Sequence, residues 1–461
     1  MTNIKISYRE LEGDQHTPIS IFMSIEGTHK FLLESSLKHE NSGRFSFLGS
    51  NPFFEMKADS THMKLHDFKT EETMQRKDDP ITWLKQHLEH TVEEQFPLPF
   101  PSGGIGYFAY DVAKRFEPIE EAERDELEMP DIHFLFYDRL IVYDHLLQKI
   151  YIVVVDQWIT NESVDHEQAL NEMEYQLTYL NSPQKSEPFH AKEYQSNMSP
   201  EDYEQLVHKA RHHIEEGDIF QVVLSQRLSS PYKGDPFSFY RKLRKVNPSP
   251  YMFYIDFEDY VVLGASPESL IKVDGKNVTT NPIAGTRKRG ENEAADQMLA
   301  KELLEDEKEI AEHQMLVDLG RNDLGRISIP GSIQLSKYML IERYRTVMHI
   351  VSEVKGVLDE SCQPIDALIA CLPAGTVSGA PKIRAMQLIN EMEQTKRGVY
   401  SGAVGYLGLN GNLDLALAIR TMVLKDGVAH VQAGAGVVYD SIPRNEFEET
   451  LQKAKSLLEV Q

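Results

Sequence analysis

The stretch Val431–Thr450, VQAGAGVVYDSIPRNEFEET, reads as a buried strand, a glycine-rich crossing and a helix that opens with acidic residues. Gly434 and Gly436 carry no side chain, so backbone N–H groups there can approach an anion closely. Glu446 and Glu449 stand three residues apart, which places them on one face of a helix. An anion cradle beside paired carboxylates indicates a site that holds a negatively charged molecule through a metal ion.

The composition of the chain limits its class. With 461 residues and a formal net charge of −24, the chain is long enough for two or three domains. It is too acidic for nucleic acid or an anionic membrane to be its main partner. Two cysteines, Cys362 and Cys371, exclude a disulfide framework or a cysteine zinc cluster and fit a reducing cytosol. The polar segment Met1–Glu10 and the lack of a long uncharged apolar run predict a soluble protein of the cytoplasm.

The pattern of turns and apolar runs predicts the fold class. Asp274-Gly275, Asn410-Gly411 and Asp426-Gly427 each separate two apolar runs, which is typical of hairpins. In the first half, Ile19–Ile25 and Lys30–Leu33 are short apolar runs of the kind found in strands. Many hairpins with few long helices predict an α+β fold with antiparallel sheets rather than a doubly wound parallel sheet.

Helical segments and one linker complete this prediction. We expect helices over Pro80–Leu88 and from Ser199 to about Glu216, because proline follows an N-cap residue at the start of the second. One long helix is predicted where Leu303, Ile310 and Val317 recur every seven residues. The polar, proline-containing segment Asn181–Pro188 is the best linker candidate. It predicts a division of the chain into residues 1–190 and 191–461.

A second pair of glutamates lies on the predicted long helix. Glu309 and Glu312 are again three residues apart, so both Glu-x-x-Glu pairs could hold one hard cation between them. Magnesium takes a few carboxylate oxygens and completes its octahedron with water and substrate oxygens. The alternative is that each pair lies on a solvated helix face, since the chain is rich in glutamate.

Three single residues are further candidates, each with an ordinary structural alternative. Arg420 follows the apolar strand Leu413–Ile419 and needs an anionic partner, either a ligand or a neighbouring carboxylate. Tyr400 either aims its hydroxyl at a ligand or belongs to the core. His349 lies in the strand-like run Tyr344–Ser352, where a lone histidine is more often a satisfied core residue than a catalyst.

Two segments rich in small residues could also approach a ligand. Pro373–Lys382 precedes a helix and can bind an anion through free N–H groups, or form a tight turn between helices. Gly285 and Thr286 form a second corner of small residues. Together the patterns indicate a soluble α+β enzyme that uses magnesium and acts on a small polyanion.

Taken together, these segments resemble the chorismate-utilising enzymes over nearly the whole chain. The resemblance is carried by five segments in the same order: Pro282–Arg287, Ala311–Asp323, Val347–Ser352, Pro373–Lys382 and Val431–Thr450. It implies the fold of that family, α+β with antiparallel sheets packed as a sandwich and helices outside. The chain is most similar to the branch that makes anthranilate in tryptophan synthesis. In that branch chorismate and ammonia give aminodeoxyisochorismate, which loses pyruvate.

The resemblance also implies roles for individual residues. It assigns Mg²⁺ to Glu312 and Glu449, with Glu309 and Glu446 in support. His349 and Thr376 line the reacting ring, and we expect His349 to assist the proton removal or the orientation that drives pyruvate elimination. The implied substrate contacts are Gly285, Thr286, Tyr400, Arg420, Gly434, Ala435 and Gly436.

A regulatory site and a partner are implied in the same way. Leu32–Ser35 and Asn247–Met252 match a feedback pocket for tryptophan, although the first segment could be a plain strand end. Residues 1–190 would then be the regulatory region and residues 191–461 the catalytic one. Neither cysteine lies in a glycine-rich nucleophile turn, so the use of glutamine requires a separate amidotransferase subunit, expected in a heterotetramer. Free ammonia serves without it. The residues assigned to the inhibitor are Ser35, Pro250, Tyr251 and Met252.

Other members of the family define the alternatives. Isochorismate and salicylate synthases carry a water-activating lysine where Gln221 stands, so water is not the expected nucleophile here. Some aminodeoxychorismate synthases carry a lysine where Ala284 stands, and others share the alanine. Two alternatives therefore stay open: an aminodeoxychorismate-forming enzyme and a catalytically silent homologue that binds tryptophan.

Overall fold

The structure is a computed structural model that describes residues 4–35, 43–88, 90, 96–120, 122–179, 186–344 and 347–460. The α-helices are α1 (Pro18–Ser24), α2 (Pro80–His87), α3 (His166–Thr178), α4 (Pro200–Glu215), α5 (Pro236–Val246), α6 (Glu293–Glu305), α7 (Glu307–Gly325), α8 (Pro364–Cys371), α9 (Lys382–Glu393) and α10 (Pro443–Leu458). Two short 3₁₀-helices are η1 (Tyr110–Arg115) and η2 (Gly375–Val377).

The strands are β1 (Ile6–Glu12), β2 (Phe31–Glu34), β3 (Phe45–Gly49), β4 (Phe54–Ala58), β5 (Met63–Asp67), β6 (Glu72–Arg76), β7 (Gly103–Phe108), β8 (Ile132–Tyr137), β9 (Arg139–Asp144), β10 (Lys149–Val155), β11 (His190–Ala191), β12 (Gln195–Ser196), β13 (Gln221–Lys233), β14 (Tyr251–Asp256), β15 (Tyr260–Ser266), β16 (Ser269–Asp274), β17 (Asn277–Thr280), β18 (Ile283–Lys288), β19 (Gln334–Arg343), β20 (Val347–Val357), β21 (Gly379–Ala380), β22 (Ala403–Gly408), β23 (Leu413–Leu417), β24 (Thr421–Lys425) and β25 (Val428–Val437).

The strands form two large antiparallel sheets. The first sheet has the order β1-β10-β9-β3-β2-β14-β15-β24-β25-β13-β11, with β12 and β21 also pairing with β13. The second has the order β18-β20-β17-β16-β23-β22-β7-β8-β4-β5-β6, with β19 pairing with β20. The predicted α+β class with antiparallel sheets is confirmed, as are the hairpins at residues 274–275, 410–411 and 426–427.

The two sheets pack face to face over one apolar core, and helices cover the outer face of the first sheet. Strand β14 illustrates both layers, because alternate residues of a strand point to opposite faces. Phe253 and Ile255 belong to the core between the sheets, whereas Met252 and Tyr254 pack beneath the helices. The sandwich with external helices is therefore confirmed.

Two local predictions are wrong, and both errors come from helix caps. Ile19–Ile25 is not a strand, since α1 occupies Pro18–Ser24. Thr17 and Ser20 form a capping box, and Pro18 occupies the first turn, where its missing N–H costs nothing. These signals override the apolar run.

The predicted single long helix is two helices. Asp306 ends α6 and caps α7, and its carboxylate accepts hydrogen bonds from the amides of Lys308 and Glu309 at 3.1 and 3.2 Å. Glu309 therefore lies in the first turn of α7 rather than in the middle of a helix.

Both parts of the chain supply strands to both sheets. In the first sheet β2 pairs with β14, and in the second β7 pairs with β22. The division at residue 190 stays a prediction about roles, and most of the predicted linker lies outside the described residues. No helix in the described ranges is long and apolar enough to cross a membrane.

Candidate active site

The glycine-rich stretch lies in β25, at a place where one edge of the strand is open. The ladder between β25 and β24 ends at Val431, while the ladder with β13 continues to Val437. Val223 and Ser225 of β13 stand opposite Gly436 and Gly434.

The amides of Gly434 and Gly436 point to this open edge. Val223 and Ser225 donate their own N–H groups away from β25, to Ser378 O at 2.9 Å and Glu393 Oε1 at 2.8 Å. Opposed residues in an antiparallel ladder either exchange both hydrogen bonds or neither, so the two glycines also turn away from β13. Leu224 and Ala435, which lie between these two pairs, form a hydrogen-bonded pair of the ladder. The Ala435 amide therefore faces β13.

Glycine is required here because side chains crowd the same edge. A Cβ at Gly434 would lie 2.8 Å from the hydroxyl oxygen of Tyr400, and one at Gly436 would lie 2.6 Å from Nε2 of Gln221. Real Cβ atoms do not approach this closely. Tyr400 and Gln221 therefore pack against the face of the strand at the two glycines.

The four glutamates of the predicted metal site face one another from α7 and α10. Burial raises the pKa of Glu312, and the charges of Glu309 and Glu449 raise it further. Burial also raises the pKa of Glu446, with a contribution from Glu449. Glu309 is held by Arg287, whose Nη1 lies 3.0 Å from Glu309 Oε1.

These carboxylates do not form a closed cage. Among the described residues, the group of three or more metal-capable side chains with ligand atoms within 4.8 Å of one another is His213, Glu216 and Asp218, which includes none of the four glutamates. An open set of carboxylates suits a cation that takes a few protein oxygens and completes its shell with water and substrate, as Mg²⁺ does. The mutual raising of pKa values indicates negative charge that a cation would neutralise.

Lys453 links the glycine-rich strand to the glutamates, and the sequence patterns did not predict this. Its ammonium contacts Glu449 Oε1 at 2.8 Å and donates to Gly434 O at 2.9 Å. Its charge also lowers the pKa values of Glu268, Glu312 and Glu446. These carboxyls therefore lie near the same cation. The available signal was its position four residues after Glu449 on one helix face.

Arg420 is a half-buried cation with a positive backbone φ of 48°, between β23 and β24. Burial lowers its pKa, and within the described ranges its guanidinium makes no recorded hydrogen bond or ion pair. Its charge lowers the pKa of His349, so it lies near that ring. A half-buried guanidinium in this state is suited to a carboxylate ligand.

His349 is held in one tautomer by the corner at Gly285 and Thr286. Its Nδ1 lies 2.9 Å from the carbonyl oxygen of Gly285 and 3.1 Å from the hydroxyl of Thr286. A carbonyl can only accept, so Nδ1 carries the proton and Nε2 has a free lone pair. Burial lowers the pKa of His349, and the imidazole is a neutral base at pH 7.

Thr376 leads to a second residue that the sequence reasoning missed, Glu268. The Thr376 hydroxyl lies 2.9 Å from Glu268 Oε1, and the carboxyl is buried between β15 and β16. Burial raises the pKa of Glu268 to about 7, although Thr376 and Lys453 both lower it. The available signal was a lone charged residue, in Ser266–Leu270, between the buried strand β15 and the buried start of β16.

The residues assigned to the inhibitor meet at another place, on the first sheet. Strands β2 and β14 pair with Glu34 opposite Met252, which brings Ser35 beside Tyr251. The side chain of Met252 packs under the helices, while Tyr251 packs toward the core between the sheets. The structure brings the four residues together, and their role stays a prediction.

Two antiparallel sheets in this order, with an open glycine-rich edge beside paired glutamates, fit an enzyme that acts on a small polyanion. A family model described as chorismate binding enzyme matches residues 28–459. The chain belongs to this family.

Similar proteins are named more specifically. The chain is 45% identical over 455 residues to anthranilate synthase component 1 of Lactococcus lactis subsp. lactis, covering 98% of this chain and 99% of that protein. It matches the crystal structure of anthranilate synthase component I from Streptococcus pneumoniae at TM-score 0.82 and 44% identity, covering 97% and 98% of the two chains. It shares the fold of the menaquinone-specific isochorismate synthase of Escherichia coli, with TM-score 0.73 and 19% identity, covering 99% of this chain and 95% of that one.

Proposed function

We propose that this chain is the chorismate-converting subunit of an anthranilate synthase, which forms anthranilate and pyruvate from chorismate and ammonia. The observation that carries the proposal is the group of carboxyls near Lys453: the buried Glu268, whose pKa is raised to about 7, and the glutamates of α7 and α10. The identity of 41–45% to several proteins named anthranilate synthase component 1 supports this product over others in the family.

The amination step needs a proton donor. Ammonia adds to the ring, and the ring hydroxyl leaves as water only if it receives a proton. Glu268 keeps its proton up to about pH 7 and accepts from Thr376 at Oε1, which leaves Oε2 to donate. Ammonia is already a nucleophile and needs no strong base.

The elimination step needs a base. The ring proton beside the new amine leaves as the enolpyruvyl group departs as pyruvate, and the ring becomes aromatic. His349 has a lone pair at Nε2 and a proton fixed at Nδ1, so it fits this role. Burial, together with the nearby charge of Arg420, lowers the pKa of His349 and keeps the ring neutral.

Binding divides between amides and cations. The amides of Gly434 and Gly436, with the hydroxyl of Tyr400, hold one chorismate carboxylate, and Arg420 contributes to binding the carboxylates. Glu312 and Glu449 would hold Mg²⁺, with Glu309 and Glu446 in support. When bound, Mg²⁺ supplies Lewis-acid polarisation of substrate oxygens.

Tryptophan is the proposed feedback inhibitor, bound where β2 and β14 meet. Ser35→Phe should relieve inhibition and spare turnover, because it fills that place without touching the catalytic residues. Measuring initial rates against tryptophan concentration checks this, and equal inhibition of variant and wild type would refute the assignment. We also propose a glutamine amidotransferase partner in a heterotetramer, and a cytoplasmic location.

The decisive experiment identifies the aromatic product. Purified protein with chorismate, ammonium salt and Mg²⁺ should give fluorescent anthranilate and an equal amount of pyruvate. Non-fluorescent 4-amino-4-deoxychorismate would instead identify an aminodeoxychorismate synthase. Binding of tryptophan without any turnover would identify a silent homologue.

A further inference from the structure

Behind the site lies a buried ion pair between Glu393, at the end of α9, and Arg397. Arg397 is 2% exposed and Glu393 is 8% exposed. The guanidinium donates from Nε to Glu393 Oε2 at 2.8 Å and from Nη2 to Oε1 at 2.6 Å. This forked contact is the most directional form of ion pair.

One side of the pair holds β13. Glu393 Oε1 accepts from the amide and the hydroxyl of Ser225 at 2.8 and 2.9 Å. Arg397 Nη2 donates to Val223 O at 2.8 Å. Val223 and Ser225 are the residues opposite Gly436 and Gly434, so the pair fixes the strand against which both glycine amides are registered.

The other side holds the turn that carries Thr376. Arg397 Nη1 donates to Val377 O at 2.8 Å, next in the chain to Thr376 and its contact with Glu268. The guanidinium also lies 5.6 Å from the ring centroid of Tyr400 and 4.7 Å from that of Tyr110. One side chain therefore joins the carboxylate edge, the proposed acid and Tyr400.

Stability alone does not explain such a pair, because apolar residues of the same volume often stabilise a fold as much as a buried ion pair does, or more. What apolar residues cannot supply is this set of directed bonds. We propose that Arg397, held by Glu393, is a positioning residue that sets the distance between the Gly434–Gly436 edge and the Thr376–Glu268 contact. This inference rests on the proposed function and adds a residue that touches no substrate.

Arg397→Lys tests the proposal, because lysine keeps the charge and loses the fork. We expect kcat to fall about 10- to 100-fold, since small misplacements of reacting groups have effects of this size. The upper limb of the pH profile of kcat should also move to higher pH. A relaxed Thr376 turn loses the hydrogen bond that lowers the pKa of Glu268.

Arg44→Lys is the matched control. Arg44 makes a similar forked contact with the buried carboxylate of Asp144, on β9 and away from these groups. Because the Arg44 side chain is 38% exposed, Arg44→Lys should lose less thermal stability than Arg397→Lys, and it should keep the wild-type pH profile. If Arg397→Lys lost stability but also kept the wild-type pH profile, the role of Arg397 would be purely structural and the inference would be overturned.

Ser225→Ala keeps the test decisive if Arg397→Lys does not fold. It removes the bond that the hydroxyl donates to Glu393 and the bond that it accepts from Gln432, and it leaves the ion pair intact. We expect KM for chorismate to rise about threefold. Unchanged kinetics in Ser225→Ala would then overturn the inference. Absence of anthranilate from the wild-type protein would instead refute the proposed function, so the two failures are distinguishable.

Discussion

Two groups of charges in this molecule are built in opposite ways. Glu393 and Arg397 are buried and use nearly all their donors and acceptors on each other and on backbone atoms. Across β13, Glu312 and Glu446 have pKa values raised by burial and by neighbouring carboxylates, and the guanidinium of the half-buried Arg420 makes no hydrogen bond or ion pair within the described ranges. The charges of the Glu393–Arg397 pair are neutralised by partners within the chain and hold the fold. The charges of the candidate site lack such partners and are available to a ligand.

The largest effect should come from Glu268→Gln, which removes the proposed proton donor from the candidate site. We expect kcat to fall about 10²- to 10⁴-fold, the usual contribution of a general acid. In the wild-type enzyme kcat should decline above about pH 7, because Glu268 then loses its proton. A pH–rate profile for both proteins measures this, and an unchanged kcat in the variant would remove Glu268 from the mechanism.

The same substitution should stabilise the protein at alkaline pH. The folded carboxyl keeps its proton to about pH 7 and the unfolded one to about 4.5, so its contribution to stability falls as pH rises between these values. Glutamine does not ionise, so the variant avoids this loss. With about 1.4 kcal/mol per pKa unit, its free energy of unfolding at pH 8 should exceed that of the wild type by about 3 kcal/mol. Denaturant unfolding of both proteins at pH 4.5 and pH 8 measures this difference. A variant less stable than the wild type at pH 8 would contradict the prediction.

An intermediate effect is expected from Glu312→Gln and Glu449→Gln. Each removes a negative charge from the proposed metal site, so the Mg²⁺ concentration for half-maximal activity should rise at least about tenfold. The rise in melting temperature that Mg²⁺ gives to the wild-type protein should shrink in parallel. Glu448→Gln is the control, because Glu448 is exposed and pairs with Arg444 at 2.9 Å. An equal loss in the control would mean that the effect comes from net charge.

The smallest effect should come from Gly434→Ala. The new Cβ would lie 2.8 Å from the Tyr400 hydroxyl and 2.9 Å from Leu224 O, so the edge must shift by a few tenths of an ångström. We expect KM for chorismate to rise about three- to tenfold, with a smaller change in kcat, because a binding contact is lost. Gly325→Ala at the end of α7 meets no atom within 4 Å and should be neutral. A KM unchanged by Gly434→Ala would remove this edge from the carboxylate site.

Much of this architecture could be predicted from the sequence, because local signals decide it. The Asn-Gly and Asp-Gly turns predicted their hairpins, and Ser199 predicted the start of α4. Ile19–Ile25 was predicted wrongly because its apolar pattern was given more weight than the Thr17 cap. Local patterns fail where a stronger local signal competes.

The site was only partly predictable, because its central groups depend on tertiary contacts. The glutamate pairs follow from helical spacing, yet Glu268 becomes an acid only through burial that sequence does not show. Lys453 looks like an ordinary helix-surface cation until Gly434 and Glu449 are placed beside it. The direction of the glycine amides likewise follows from the pairing of β25 with β13, distant in sequence.

The pairing of β7 with β22 has a consequence for biosynthesis. Gly106 is opposite Gly405, so the middle of the second sheet cannot close until most of the chain has left the ribosome. At about 5–20 residues per second this delay is roughly 15–60 s. Until β22 is synthesised, the edge of β7 that will pair with it, with the apolar residues Ile105 and Tyr107, stays unpaired. A fragment ending at residue 190 carries that edge permanently, and aggregation rather than folding is its expected fate.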